Sequence, residues 1–106
     1  MKRLQIIATA ERDLEDGFRF YERQTPGIGS YFLDSLFADL DSLIAFAGIH
    51  AKSNGNARRM LARRFPFAIY YVLESDLVTV VAVLDCRRDP ASIDARLGAL
   101  RVAGRG

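Results

Sequence analysis

The chain has 106 residues, half of them hydrophobic, with a single cysteine. That is enough for one packed domain, 1–106, and too apolar for a disordered chain. The net charge of +2 hides an asymmetry: residues 1–51 carry five Lys/Arg against eight Asp/Glu, and residues 52–106 carry ten against five.

These figures exclude several classes. Cys86 is the lone cysteine, so an internal disulfide is excluded, and no Cys/His set has metal-ligand spacing. No metal and no cofactor are expected, and a reducing cytoplasm is the natural setting. The opening MKRLQIIATAERD has too few apolar residues before Glu11 and Arg12 for a signal peptide, and no apolar run approaches a membrane span. The Arg-rich second half suits a polyanion or an acidic protein partner, because guanidinium groups make bidentate contacts to phosphate and carboxylate.

In chain order, Leu4 to Ala8 reads as a short strand, and Thr9 can cap a following helix, with Glu11 or Asp13 in its first turn. Ala10, Leu14, Phe18 and Tyr21 form one apolar stripe on that helix. Gly17 inside it costs about 1 kcal/mol relative to alanine, which a closely approaching neighbour would explain. Thr25-Pro26-Gly27 ends the helix, with Pro26 suited to the first turn of the next. The second helix is expected over about Ile28 to Ala47. Phe32, Leu33, Leu36, Phe37, Leu40, Leu43 and Ile44 face inward in this reading, and Asp34, Asp39 and Asp41 face outward. So short a connection makes the two helices pack antiparallel.

Gly48 to Asn56 reads as a loop that holds His50, the only histidine, as a solvated side chain. Three strands follow. Arg58 to Arg64 alternates imperfectly, with Arg59, Leu61 and Arg63 on one face. Phe67 to Leu73 is rich in aromatic and β-branched residues, and Glu74-Ser75-Asp76 is a polar turn into an antiparallel partner. In the last strand Val78, Val80, Ala82 and Leu84 are assigned to the helices, and Thr79, Val81, Val83 and Asp85 to an open working face. Cys86 reads as inert on an apolar strand face. After Arg87 and Arg88, Asp89-Pro90 or Ser92 starts a short helix carrying Ile93, Arg96, Leu97 and Leu100, with AGRG as a frayed tail. The result is an α+β fold, β-α-α-β-β-β plus a short C-terminal helix, with an antiparallel helical hairpin on a curved, mainly antiparallel sheet.

Familiar catalytic motifs do not fit. Gly27-x-Gly29 lacks the rest of a dinucleotide fingerprint and its preceding strand, and there is no phosphate-binding GxxxxGK[ST] loop. Cys86 and His50 are each alone, and the carboxylates are scattered. What remains is basic: Arg58, Arg59, Arg63 and Arg64 from one strand, Arg87 and Arg88 from the end of another, with Tyr70 and Tyr71 between them. Arginine with tyrosine on an open sheet can hold a nucleic-acid backbone and stack a base, or can receive acidic side chains of a protein. Spacing alone leaves both open.

The pieces LQIIATAERDL, FYERQTPGIGSYF, RRMLARRFPFAIYY and VVAVLDCRRDP occur in the order seen in the RelE/ParE superfamily of bacterial type II toxins, and residues 3–97 resemble that family. The resemblance implies the small RelE-like fold and a toxin that a cognate antitoxin neutralises in a hetero-oligomer. The antitoxin's partly disordered acidic tail would match the basic second half, ordering as it binds. It also implies one of two targets. ParE-like members, among them plasmid stabilization proteins, poison DNA gyrase and cleave nothing; RelE-like members cleave mRNA on the ribosome. Cleavage requires activation of the 2′-hydroxyl, neutralisation of the phosphate and protonation of the leaving oxygen. Asp85, Arg87 and Arg88 are the candidates for such chemistry. Arg58, Arg59, Arg63, Arg64, Tyr71, Arg87 and Arg88 are the candidates for binding target or antitoxin. The chain departs from the nuclease pattern in having no tyrosine or histidine after Tyr71, and Asp85 where many relatives carry histidine. The resemblance therefore favours the ParE-like reading.

Overall fold

A computed structural model describes residues 2–105, apart from the side chains of Asn54 and of residues 100–105. Its elements are β1 (Arg3–Ile6), α1 (Ala8–Gln24), α2 (Ile28–Phe46), β2 (Lys52–Asn54), β3 (Ala57–Leu61), β4 (Phe67–Glu74), β5 (Leu77–Asp85) and α3 (Pro90–Arg105). The strands form one sheet in the order β1-β5-β4-β3-β2. β1 runs parallel to β5, and the other pairs are antiparallel. The expected α+β arrangement of a helical hairpin on a mainly antiparallel sheet is what the chain adopts.

The hairpin packs its apolar stripes on the sheet. Ala10 and Leu14 of α1 and Phe32, Leu36, Leu40 and Leu43 of α2 are buried with Met60, Phe67, Ile69, Tyr71, Val78, Val80 and Val83. Gly17 lies in the helix contact because a Cβ there would stand 2.5 Å from the Phe32 ring. At the turn, Gly27 adopts the left-handed φ of 95° and is the N-cap of α2. Pro26 therefore stays in the connection, outside the first turn of α2. The Glu22 carboxylate accepts the N–H groups of Gly27 and Gly29, at 3.0 and 2.9 Å, and so caps α2 from the preceding helix.

Several expectations are corrected. The first strand ends at Ile6, two residues early, and α1 starts at Ala8 with Ile7 as N-cap, so Thr9 lies inside the helix and caps nothing. Phe37 and Ile44 are 46 % and 36 % exposed, off the buried stripe. Asp39, placed outward by its charge, is 4 % exposed because its carboxylate accepts the Arg63 N–H at 3.1 Å. The region after α2 is not all loop: Lys52–Asn54 pairs with β3 across an irregular register. β3 stops at Leu61, and Arg63 and Arg64 fall in the connection to β4.

The largest correction concerns β5. Tyr70 pairs with Ala82 but Tyr71 pairs with Val80, so Val81 is an extra residue, a β-bulge. Beyond a bulge the side chains exchange faces. Val83 therefore joins the hairpin-side core. Ala82 and Leu84, expected there, sit on the opposite face with Ala68 and Tyr70. That face is not open, because Ile93 and Leu97 of α3 cover it, packed with Val81 and Cys86. Cys86 lies just past the strand rather than within it, and is half-buried. α3 is a 16-residue helix and not a short one. The expectations for Leu100 and for the side chains of the tail lie outside the described residues.

One clamp holds α3 in place. Pairing of β1 with β5 ends at Ile6 and Val80, so the later part of β5 has no neighbour on that side. Asp13 fills the gap: its Oδ2 accepts the Val83 N–H at 3.0 Å. Arg96 of α3 then forks onto the same carboxylate, at 2.9 and 2.7 Å.

Candidate functional site

Two of the predicted arginines, Arg64 and Arg87, meet an aromatic row near the apex of the helical hairpin, and Arg63 and Arg88 line clefts that flank it. Tyr21 stacks in edge and tilted contacts with Phe20, Phe32 and Phe65, at centroid distances of 5.1, 5.2 and 4.9 Å. Tyr31 continues the row, 5.6 Å from Phe65. The Arg64 guanidinium stands over the Tyr31 ring at 6.0 Å, a cation–π placement. Arg63 is anchored beside it through its main-chain bond to Asp39. At the other end Arg87 interacts with Tyr21 and with Asp85. Arg88 lines a cleft of about 150 Å³ with Phe20, Phe67, Asp16 and Asp85. Tyr31 and Phe20 are each about half exposed. The patch combines exposed aromatic rings with arginine, the residue types that dominate protein-binding hot spots.

The remaining candidates lie elsewhere. Arg58 turns to the α2–β2 connection and donates to the His50 carbonyl at 2.6 Å. Arg59 is exposed on the α3 side of the sheet, with its guanidinium 3.9 Å from Cys86 Sγ. Tyr71, a candidate for binding, is instead a buried sheet residue. It is fully buried, and its hydroxyl accepts the Gly48 N–H at 3.0 Å and meets His50 Nδ1 at 2.6 Å. A ring so placed cannot stack on a ligand. His50 is corrected with it: it is half-buried against Tyr71, in a T-shaped contact, rather than solvated. Burial and the nearby Arg58 hold its pKa below the usual histidine value.

Asp85, the candidate base, is occupied. Arg87 donates to it through Nε at 3.0 Å, through a second guanidinium nitrogen at 2.7 Å and through its main-chain N–H at 2.8 Å. The side-chain hydrogen bonds from Arg87 lead the causes that hold the Asp85 carboxyl below its ordinary pKa, against the opposing effect of burial. The same pairing raises Arg87. Burial pushes the Tyr21 phenol up, with Arg87 opposing and Asp85 adding to the rise. A carboxylate held by bidentate arginine at a lowered pKa is a weak proton acceptor near neutral pH. Among the described residues no group of three or more His, Cys, Asp or Glu is placed to hold a metal ion.

The aromatic members Phe20, Tyr21 and Tyr31 were not foreseen as part of a site. The available signal was that Phe20 and Tyr31 flank the TPG turn off the buried stripes, where a large ring has no core to enter.

The helical hairpin on a five-stranded sheet of this order is a ParE-like fold. In comparison with solved structures, a chain of the structure titled "Chromosomal ParDE TA system from P. aeruginosa" superposes with a TM-score of 0.71 at 16 % identity, covering 78 % of this chain and 94 % of that one. At that identity the likeness is one of fold. No protein-family model and no curated protein matches the chain. No helix among the described residues is long and apolar enough to cross a membrane.

Proposed function

We propose that the protein is the toxin of a type II toxin–antitoxin pair, held inactive in the cytoplasm by a cognate antitoxin in a hetero-oligomer, and that it acts on DNA gyrase without cleaving nucleic acid. The shared fold with a chain of a ParDE system supports the toxin reading. The observation that carries the choice of target is Asp85: the one candidate base for RNA cleavage is tied to Arg87 by three hydrogen bonds. The arginine–aromatic patch is the surface assigned to the partner. Its rings supply apolar contact area, and Arg63, Arg64 and Arg88 receive acidic side chains of the antitoxin.

Induced expression in a bacterial host tests this reading. Growth should stop, and co-expression of a small acidic protein encoded beside the gene should restore it. Transcripts mapped at nucleotide resolution should stay intact. Ribosome-dependent cuts within coding sequences would replace the gyrase reading with the RelE-like nuclease one, and normal growth without antitoxin would end both.

A further inference from the structure

Beside the patch, between α2 and the connection that follows β3, lies a cleft of about 120 Å³ lined by Ser35, Ala38, Asp39, Arg63 and Arg64. It is several times the ~30 Å³ share of one liquid water. Ser35 and Asp39 are one helical turn apart and point to the same side of α2. Both are buried, at 5 % and 4 % exposure. The Ser35 Oγ has no hydrogen-bond partner. One Asp39 oxygen accepts the Arg63 N–H at 3.1 Å, and among the described residues no hydrogen bond reaches the other. Buried polar groups are nearly always paired, so an unpaired Ser35 hydroxyl beside the Asp39 carboxylate in one cleft points to a ligand.

The charges select its chemistry. A cation entering the cleft meets the positive charge of Arg63 and Arg64 in its lining. An anion meets the Asp39 carboxylate. A neutral group with an N–H donor and a carbonyl acceptor avoids both repulsions: its N–H reaches the Asp39 carboxylate, and its carbonyl accepts from the Ser35 hydroxyl. A peptide backbone matches in polarity, but its trans N–H and C=O point to opposite sides of the chain, whereas a primary carboxamide presents both at one end. We propose that the cleft is a subsite for a primary carboxamide, the Asn or Gln side chain of a protein partner docked on the patch. Arg64 links the two features, since it rims the cleft and also stands over Tyr31. The identity of the occupant rests on the reading of the patch as a protein-binding surface; the chemistry of the cleft does not.

The test is a nuclear magnetic resonance titration of the isotope-labelled full chain with acetamide, and with acetate and guanidinium at matched ionic strength. Acetamide should shift the Ser35, Asp39 and Arg63 amide signals saturably, and Ser35→Ala should bind it at least threefold more weakly. That variant removes a hydroxyl that makes no bond, so it keeps the fold; unchanged signals remote from α2 confirm this. A shift that never saturates, tighter binding of acetate or guanidinium, or equal binding by Ser35→Ala would overturn the proposal and leave the cleft as a site for ordered water only. The outcome is separable from the growth assay. Saturation without growth arrest removes the toxin reading alone, and growth arrest without saturation removes the carboxamide subsite alone.

Discussion

Tyr71 Oη and His50 Nδ1 stand 2.6 Å apart, and this bond ties the α2–β2 connection to the middle of the sheet. The Tyr71 hydroxyl also accepts the Gly48 N–H at 3.0 Å, so one side chain holds both Gly48 and His50. Tyr71→Phe leaves the Gly48 N–H and His50 Nδ1 without their partner at a buried position. It should cost about 1–3 kcal/mol in urea unfolding, with growth arrest retained.

The same pair predicts a pH dependence. The folded-state pKa of His50 lies below its ordinary value because of burial and Arg58. The native state then binds fewer protons than the unfolded chain, so this contribution is complete above about pH 6.5 and is lost as pH falls below it. The unfolding midpoint should drop between pH 7.5 and 5.5, a window above most carboxylate titrations. His50→Gln should flatten that drop, and an equal drop in the variant would remove His50 as its source.

Asp13 serves two clients, the Val83 N–H and the Arg96 guanidinium. Asp13→Ala leaves a main-chain donor and a half-buried arginine unpaired together, which should cost about 2–3 kcal/mol after allowing for partial exposure. Hydrogen exchange should locate the loss in α3 and the end of β5. Asp13→Asn, which keeps an acceptor for Val83, should lose less.

At Gly17, helix propensity and packing give opposite signs. Alanine gains about 1 kcal/mol in an isolated helix. Its Cβ would stand 2.5 Å from the fully buried Phe32 ring, which has nowhere to move. Overpacking of this kind costs about 1–3 kcal/mol, so Gly17→Ala should be less stable than the wild type in chemical denaturation. Combining it with Phe32→Leu should recover part of the loss.

Much of this fold was legible in the sequence because hydrophobic spacing speaks directly to it. The stripe of Phe32, Leu36, Leu40 and Leu43 and the Phe67 to Leu73 run both entered the core as expected. The bulge at Val81 was not legible, since every residue around it is apolar and either register buries a similar surface. Asp39 was misplaced because composition says charge goes outward, and only the tertiary approach of the Arg63 main chain supplies its partner. The candidate site was half visible. Arg64 and Arg87 both meet the aromatic row, through Tyr31 and Tyr21. Arg58 and Arg59 alternate faces on β3 and so part from each other, and Tyr71 falls on the buried face. The rings that unite the cluster come from the hairpin turn, far off in sequence, and spacing along the strands carries no trace of them.

Under the proposed function the protein disables gyrase by binding it. Purified DNA gyrase with relaxed plasmid and increasing amounts of the chain is the direct measurement. Supercoiling should be lost near stoichiometric protein, with cleaved gyrase–DNA complexes accumulating, and Asp85→Asn should inhibit as well as the wild type. Full supercoiling and no trapped cleavage at saturating protein would contradict it.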